Sequence, residues 1–409
     1  MDTATMSTSN AAITSDSVLA RFIGAVLDDV ELQAQLGAIE SDEDFRCVAL
    51  ESARARGFEL APETITAAIR PDPLGLSRFQ PAPVTLERWP ARGWMPSRSV
   101  ATAGAPMLDW AWMGSARLTA PFYEDEVRRA SFRPFSRMFR TRTSLDALIE
   151  AAPSSEPAVP DGLIFHLSRC GSTLVSQMLA AVPHHIVASE PEPLDAVVQW
   201  ASTSDAPLER QVAALRAIAD AIGRDRGDGA RRFFLKLDSW HVTALPLFRA
   251  AFPDTPWIFL YRDPVEIMVS QMRVRGLQTV AGGLPPHVFA IANGEHMPGE
   301  HYCAEVLRRT CAAVLEHGHL GGGMAVNYAE LPEAMATRIP AHFGFAPEDG
   351  ESAAMAATTP YNAKAPRQSF AADGERKRAE ASDAIRHAVA RQIAPVYAEL
   401  EALRLAQQA

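Results

Sequence analysis

Ser168-Arg169-Cys170-Gly171-Ser172-Thr173 sets a permanent cation, a glycine and three hydroxyls in six positions, directly after the largely apolar run 163–167. A buried strand, a tight loop and a helix start follow from that order. The first amides of a helix have no partner within it and sit at the positive end of its dipole, so such a loop suits phosphate or sulfate. Arg169 adds charge, Gly171 lets the backbone approach the ligand, and Ser172 and Thr173 offer hydroxyls. A second group of the same kind lies at 257–270. There the apolar run 257–261 ends in Arg262-Asp263-Pro264, with Asp263 suited to cap a helix and Pro264 to open it. Arg262 then stands at the carboxyl edge of a strand, where open α/β sheets bind ligands, and Ser270 lies nearly two turns into the helix beyond. Two anion grips on crossover units of one sheet point to a ligand that is anionic at two places.

No lysine follows Gly171, where nucleotide-triphosphate loops carry one, and this sets a kinase reading behind. Two further groups could do chemistry. Lys236 closes the apolar run 232–236, and packing alone does not explain an ammonium there, because an unpaired buried charge is expensive. Glu190 and Glu192 lie in Ser189-Glu190-Pro191-Glu192-Pro193, where the prolines argue for a fixed loop. His241 follows Lys236 by five residues and reads first as a satisfied core histidine.

The elements that must position these residues alternate strand and helix: 163–167, 173–182, 233–236, 243–251, 257–261, 265–272 and 324–328. That order predicts an α/β fold, a three-layer sandwich around a mostly parallel sheet. Helical spacing at 17–39, 41–56 and 62–69 predicts a small all-α domain over 17–70. Residues 1–16 read as a flexible tail, 71–107 as a proline-rich linker and 108–409 as the α/β domain. Within it, helices are expected at 122–130 and 144–151, a lid at 276–300, and one long amphipathic helix running from Ile385 to Leu403.

The chain has 409 residues and a formal charge of −10, with 47% apolar and 22% charged residues. This composition supports a folded core and gives no basic stripe for nucleic acid. No apolar run approaches the roughly 20 residues that span a bilayer. Four cysteines form no disulfide framework or CxxC pair, and the first sixteen residues show no signal peptide, so a reducing cytoplasm is the expected setting. No metal site is read.

The loop 168–174 resembles the 5′-phosphosulfate loop of sulfotransferases, which runs basic residue, small residue, Gly and two hydroxyl residues. Tyr261-Arg262-Asp263-Pro264 with Ser270 resembles their 3′-phosphate motif, at the family's spacing between Arg and Ser. The resemblance spans about 108–405 and implies a P-loop-type fold. It also implies the donor 3′-phosphoadenosine 5′-phosphosulfate (PAPS), bound by Arg169, Cys170, Gly171, Ser172, Thr173, Arg262 and Ser270. Cys170 replaces the more usual Ser, and Ser168 a frequent Pro. In members that use glutamate, the general base stands at the position of Glu190, with Glu192 in reserve; members that use a histidine after the next strand make His241 a third candidate. A lysine at the place of Lys236 helps stabilise the leaving phosphate, here together with Arg169. Members often close a basic C-terminal segment over the 3′-phosphate, which implicates Lys364 and Arg367. The implied acceptor is a hydroxyl on a sugar, a peptide or a small metabolite. A non-catalytic nucleotide-binding or adaptor protein on the same fold is the alternative, with a P-loop kinase behind it.

Residues 17–70 resemble the Nif-eleven type of helical domain, first noted beside nitrogen-fixation genes and later seen as leader peptides of modified natural products. The resemblance rests on Phe22, Asp28-Asp29, Leu32, Leu36, the acidic start 41–44 and Ala55-Arg56-Gly57-Phe58-Glu59-Leu60. It implies a peptide-maturation partner; a folding cap or a dimerisation surface is the alternative.

Overall fold

The computed structural model describes residues 17–72, 80–151, 156–227, 229–362, 365–369 and 373–408, with the backbone alone at 362 and 365–369. The expected tail 1–16 lies outside the described residues. Four helices come first: α1 (Val18–Asp28), α2 (Val30–Gly37), α3 (Asp42–Ala55) and α4 (Pro62–Ala68). Their starts follow from local chemistry. Ser17 and Ser41 cap α1 and α3 through the amides of Ala20 and Asp44, and Pro62 opens α4. Asp29 leaves the helical region, ends α1, and accepts from the Leu32 amide at 2.9 Å to start α2.

The stretch expected as linker contributes instead to a four-stranded sheet. Strands β1 (Val84–Leu86), β2 (Trp94–Val100) and β3 (Met107–Trp112) come before two short helices, α5 (Tyr123–Ser131) and α6 (Pro134–Met138). Then β4 (Thr141–Ser144) and α7 (Leu145–Glu150) complete the unit, and the sheet order is β1-β4-β3-β2. The prolines hid β2, and Pro96, which has no ladder donor, sits where the β2–β3 register shifts.

The helical unit and this sheet share one core. Phe139 packs against Phe22, Phe45 and Phe135 with ring centroids 6.1, 6.4 and 4.7 Å apart. The Trp94 indole donates to Gln33 Oε1 at 2.8 Å. Gly37 is required by closeness: a Cβ there would lie 2.1 Å from the Trp112 indole nitrogen.

The second sheet is all parallel. Its strands are β5 (Gly162–His166), β6 (His185–Ser189), β7 (Arg232–Lys236), β8 (Trp257–Tyr261) and β9 (Gly323–Asn327), in the order β6-β7-β5-β8-β9. The crossovers contain α8 (Ser172–Ala180), α9 (Glu192–Thr203), α10 (Leu208–Gly223), α11 (Leu245–Ala251) and α12 (Pro264–Arg273). Every residue of β5, β6 and β8 is buried, so both faces are covered and the predicted three-layer arrangement holds. From β5 the chain goes to one side for β6 and β7, then returns past β5 for β8 and β9. A crevice therefore opens at the carboxyl edge around β5.

The expected C-terminal helix is three pieces: Asp383–Ala388, a π turn at Val389–Ile393, and Ala394–Ala406. Pro395 explains the interruption, since it cannot donate to a carbonyl one turn back. No helix among the described residues is long and apolar enough to cross a membrane.

Phe139→Ala is expected to cost about 3–5 kcal/mol and to lower a single unfolding transition measured by calorimetry. A separate early transition confined to the N-terminal helices would show that the cores are distinct.

Candidate active site

The carboxyl edge of the parallel sheet opens into a cleft of about 730 Å³ that reaches from the Arg169 loop to Arg262 and Ser270. On its floor, β5 ends at His166 and the chain turns through two left-handed residues, Arg169 (φ 64°) and Gly171 (φ 91°), before α8 begins. Gly171 meets two demands. Its φ favours glycine, and a Cβ would come within 2.6 Å of the Tyr328 ring. No side chain caps α8, and Ser172 and Thr173 at its start line the cleft, leaving the first amides of the helix free for a ligand there. Arg169 is steadied by donating to the Val274 carbonyl at 2.8 Å, just past α12. Gln271, fully buried, ties the same two elements: it donates to Ser168 Oγ and accepts from the Gly276 amide at 2.8 Å.

Arg262 leaves β8 as predicted, and Asp263 caps α12 through the amides of Val265 and Glu266. The guanidinium lies over the Tyr328 ring at 4.1 Å, binds Glu266 Oε2 at 2.5 Å and reaches Asp373 Oδ1 at 3.1 Å. Burial works against its charge, and the Glu266 and Asp373 carboxylates more than offset that. Lys377 pairs with Asp373 at 2.9 Å and lines the cleft, while Arg378 reaches Glu266 at 2.7 Å. The basic run 376–378 thus contributes Lys377, buried, to the wall around Arg262. Lys364 lies outside the described residues, and Arg367 is described only as backbone of the strand Ala365–Ser369.

Glu190 stands on the cleft wall just past β6, with a left-handed backbone (φ 55°) whose amide donates to the Lys236 carbonyl at 2.7 Å. Its Oε1 is ion-paired with Lys236 Nζ and lies 3.4 Å from His166 Nε2. Burial would raise the Glu190 carboxyl, but the Lys236 ammonium, and after it His166, hold it well below the usual carboxylate range. Lys236 is fully buried, 5.4 Å from the Phe122 ring centroid, and does not line the cleft. Its ion pair with Glu190 ties it to the cleft wall.

The two reserve bases lie elsewhere. Glu192 accepts from the Ser99 amide at 2.7 Å and from its hydroxyl, fastening α9 to β2. His241 is buried and bonded to Asp195 Oδ1 at 2.7 Å; burial disfavours its charge, but Asp195 and Asp238 raise its pKa. Neither lines the cleft. Asp238 does. Burial pushes its carboxyl up to about 7, His241 and Lys236 pulling it down and Glu190 and Asp195 adding to the rise. Among the described residues, two groups are close enough to share a cation, His184–His185–Glu351 and Asp195–Asp238–His241. Each already holds an internal hydrogen bond, His184 to Glu351 at 2.6 Å and His241 to Asp195.

Sequence reasoning missed His166, Asp238, Tyr328 and Lys377 as site residues. Alternation carried a signal for one of them: on an extended chain Asp238 follows Lys236 at the spacing that returns to the same face.

Residues 163–282 match the family model described as sulfotransferase family. This segment holds the Arg169 loop, Glu190, Lys236 and Arg262, and it is sulfotransferase-like. Among solved structures, sulfotransferase STF1 from Mycobacterium tuberculosis is 16% identical, over 52% of this chain and 76% of that one, with a TM-score of 0.37. The sulfotransferase domain of the curacin biosynthetic pathway is 15% identical, over 58% and 98%, at 0.37. Sulfotransferase STF9 from Mycobacterium avium is 12% identical, over 88% and 96%, again at 0.37. The curated proteins contain no match.

Asp238 yields a pH test. Its folded carboxyl titrates near 7 against an ordinary 3.8, so the fold favours the neutral form. That contribution is complete below about pH 4 and is lost as pH rises through 7. Asp238→Asn is therefore expected to be more stable than the native chain at pH 8, by about 1–4 kcal/mol, with the advantage vanishing at pH 4. Denaturant melts at the two pH values measure it; an equal difference at both would refute the assignment.

Proposed function

We propose that the protein moves a sulfuryl group from PAPS to a hydroxyl acceptor, with Glu190 as general base. One observation carries the reading: the uncapped start of α8 with Arg169, and Arg262 with Ser270, open on one cleft that also exposes Glu190. The donor carries anionic groups at two places, and these two grips would meet them. The sulfotransferase match over 163–282 supports the reaction class.

The residues divide the work by their chemistry. Arg169, the amides at the start of α8, Ser172 and Thr173 hold the phosphosulfate, with Cys170 and Gly171 forming the loop behind them. Arg262, Ser270 and Lys377 take the 3′-phosphate, and Arg367 and Lys364 belong to the segment that would cover it. Glu190 removes the acceptor's proton as the acceptor oxygen bonds to sulfur. The bond from sulfur to the bridging oxygen breaks, and its electron pair stays with the departing bisphosphate, where Arg169 meets the charge. Lys236 can join Arg169 there only by letting go of Glu190, which would return basicity to the carboxylate at the same moment. A sulfuryl group carries less charge than a phosphoryl group, so the residues present suffice without a metal clamp. The acceptor, a sugar, peptide or small metabolite, would enter past Phe122 and Trp240 on the same wall. A peptide-maturation partner, if one docks on 17–70, would use the helix faces left outside the shared core.

Adenosine 3′,5′-bisphosphate is expected to bind the folded protein in calorimetry, and Arg262→Ala to weaken it about 10–100-fold, the worth of a charge-assisted contact. Glu190→Gln is expected to lower kcat by about 10²–10⁴ while leaving nucleotide affinity within roughly twofold. Failure of the native chain to bind this nucleotide or PAPS would refute the reading.

A further inference from the structure

His166 is the last residue of β5, buried yet facing the cleft. Its Nδ1 lies 3.0 Å from the Leu167 carbonyl, in a geometry that an N–H donor satisfies. A carbonyl can only accept, so this contact puts a hydrogen on Nδ1, and in the neutral ring that leaves the lone pair on Nε2. Nε2 is buried, has no hydrogen-bond partner among the described residues, and lies 3.4 Å from Glu190 Oε1. Two acceptors therefore face each other across a gap suited to one proton. On the far side of Glu190 the Lys236 ammonium holds the same oxygen. Burial first, and the Lys236 charge with it, lower the His166 pKa and favour the neutral ring, with Glu190 and the Leu167 carbonyl pulling the other way. Asp238, with Asp195 and His241 behind it, completes the charged surroundings of Glu190.

We propose that His166 is the second station for the proton that Glu190 removes from the acceptor. This rests on Glu190 being the base. The acceptor's O–H bond breaks to Glu190, its oxygen bonds to sulfur, and the bisphosphate leaves with the electron pair. The proton then bridges Glu190 Oε1 and His166 Nε2 until product departs, when it passes to solvent. The arrangement addresses a physical difficulty. A carboxylate held far below its ordinary pKa by an ammonium is a poor base alone, and a bare imidazole nitrogen behind it supplies the missing proton affinity. His166 acts through Glu190 and is a positioning residue for it.

The first test needs no donor. In 15N spectra of imidazole-labelled full-length protein, His166 is expected to carry hydrogen on Nδ1 and none on Nε2, and its titration midpoint is expected to fall in Glu190→Gln. Hydrogen on Nε2, or an unmoved midpoint, would overturn the proposal whether or not PAPS is the donor. The second test uses turnover. The native protein is expected to lose kcat on the acid side as His166 Nε2 takes a proton, and His166→Gln to lower kcat about 10–100-fold, with nucleotide affinity within twofold, and to abolish that acid-side fall. A lowered kcat with an unchanged profile shape would mean a purely structural role and would also overturn it.

Discussion

A lysine ammonium with no exposed surface, at the end of an interior strand, constrains everything around it. Lys236 cannot remain charged there without a carboxylate, because an unpaired ion in that position costs several kcal/mol. The carboxylate is Glu190, which must adopt a left-handed backbone to reach it and which donates its own amide back to the Lys236 carbonyl. That pairing locks the ends of two neighbouring strands, β6 and β7, and turns the remaining face of Glu190 toward the cleft. The strand order then does the rest. With β5 between β7 and β8, the phosphate-type loop after β5 falls between the carboxylate after β6 and the arginine after β8.

How much of this was legible in the sequence depends on how local each signal is. Arg169 and Arg262 were readable because each follows an apolar run and precedes a helix start, and helix starts are written in caps and prolines. Strand β6 is not among the elements that the alternation predicts, although the fixed loop at its end, Ser189-Glu190-Pro191, is. His166 was hidden inside an apolar strand, where one polar residue carries no periodic signature. Lys377 is far along the chain from Arg262, and nothing at short range says that they share a wall. The resemblance ranks Glu190 ahead of Glu192, and the structure shows what Glu192 does instead: it accepts from the Ser99 amide, 93 positions earlier, as a fastening residue.

The N-terminal half shows the opposite failure. The helices of 17–70 were readable from spacing and caps, but their autonomy was not. Prolines between 71 and 107 suggested a connector, whereas the short strands there carry Trp94 and Trp112 into the gap left by Gly37 and beside Gln33. Aromatic side chains contributed from both sides make the helices and the four-stranded sheet one hydrophobic body, and α9 is tied to that body through Glu192.

Arg262 has a consequence for ligand choice. Its guanidinium already holds two carboxylates, one of them Asp373 from a distant segment, so the energetic burden of withdrawing it from water was met when the chain folded. An incoming anion would have to compete with Asp373 for the guanidinium rather than fill an open seat. A hydroxyl lacks the charge to win that exchange and a monoanion gains little by it, whereas a dianion gains on both charge and geometry. Asp373 also holds Lys377, so the same displacement would release that ammonium beside Arg262 and give the arriving anion a second cation.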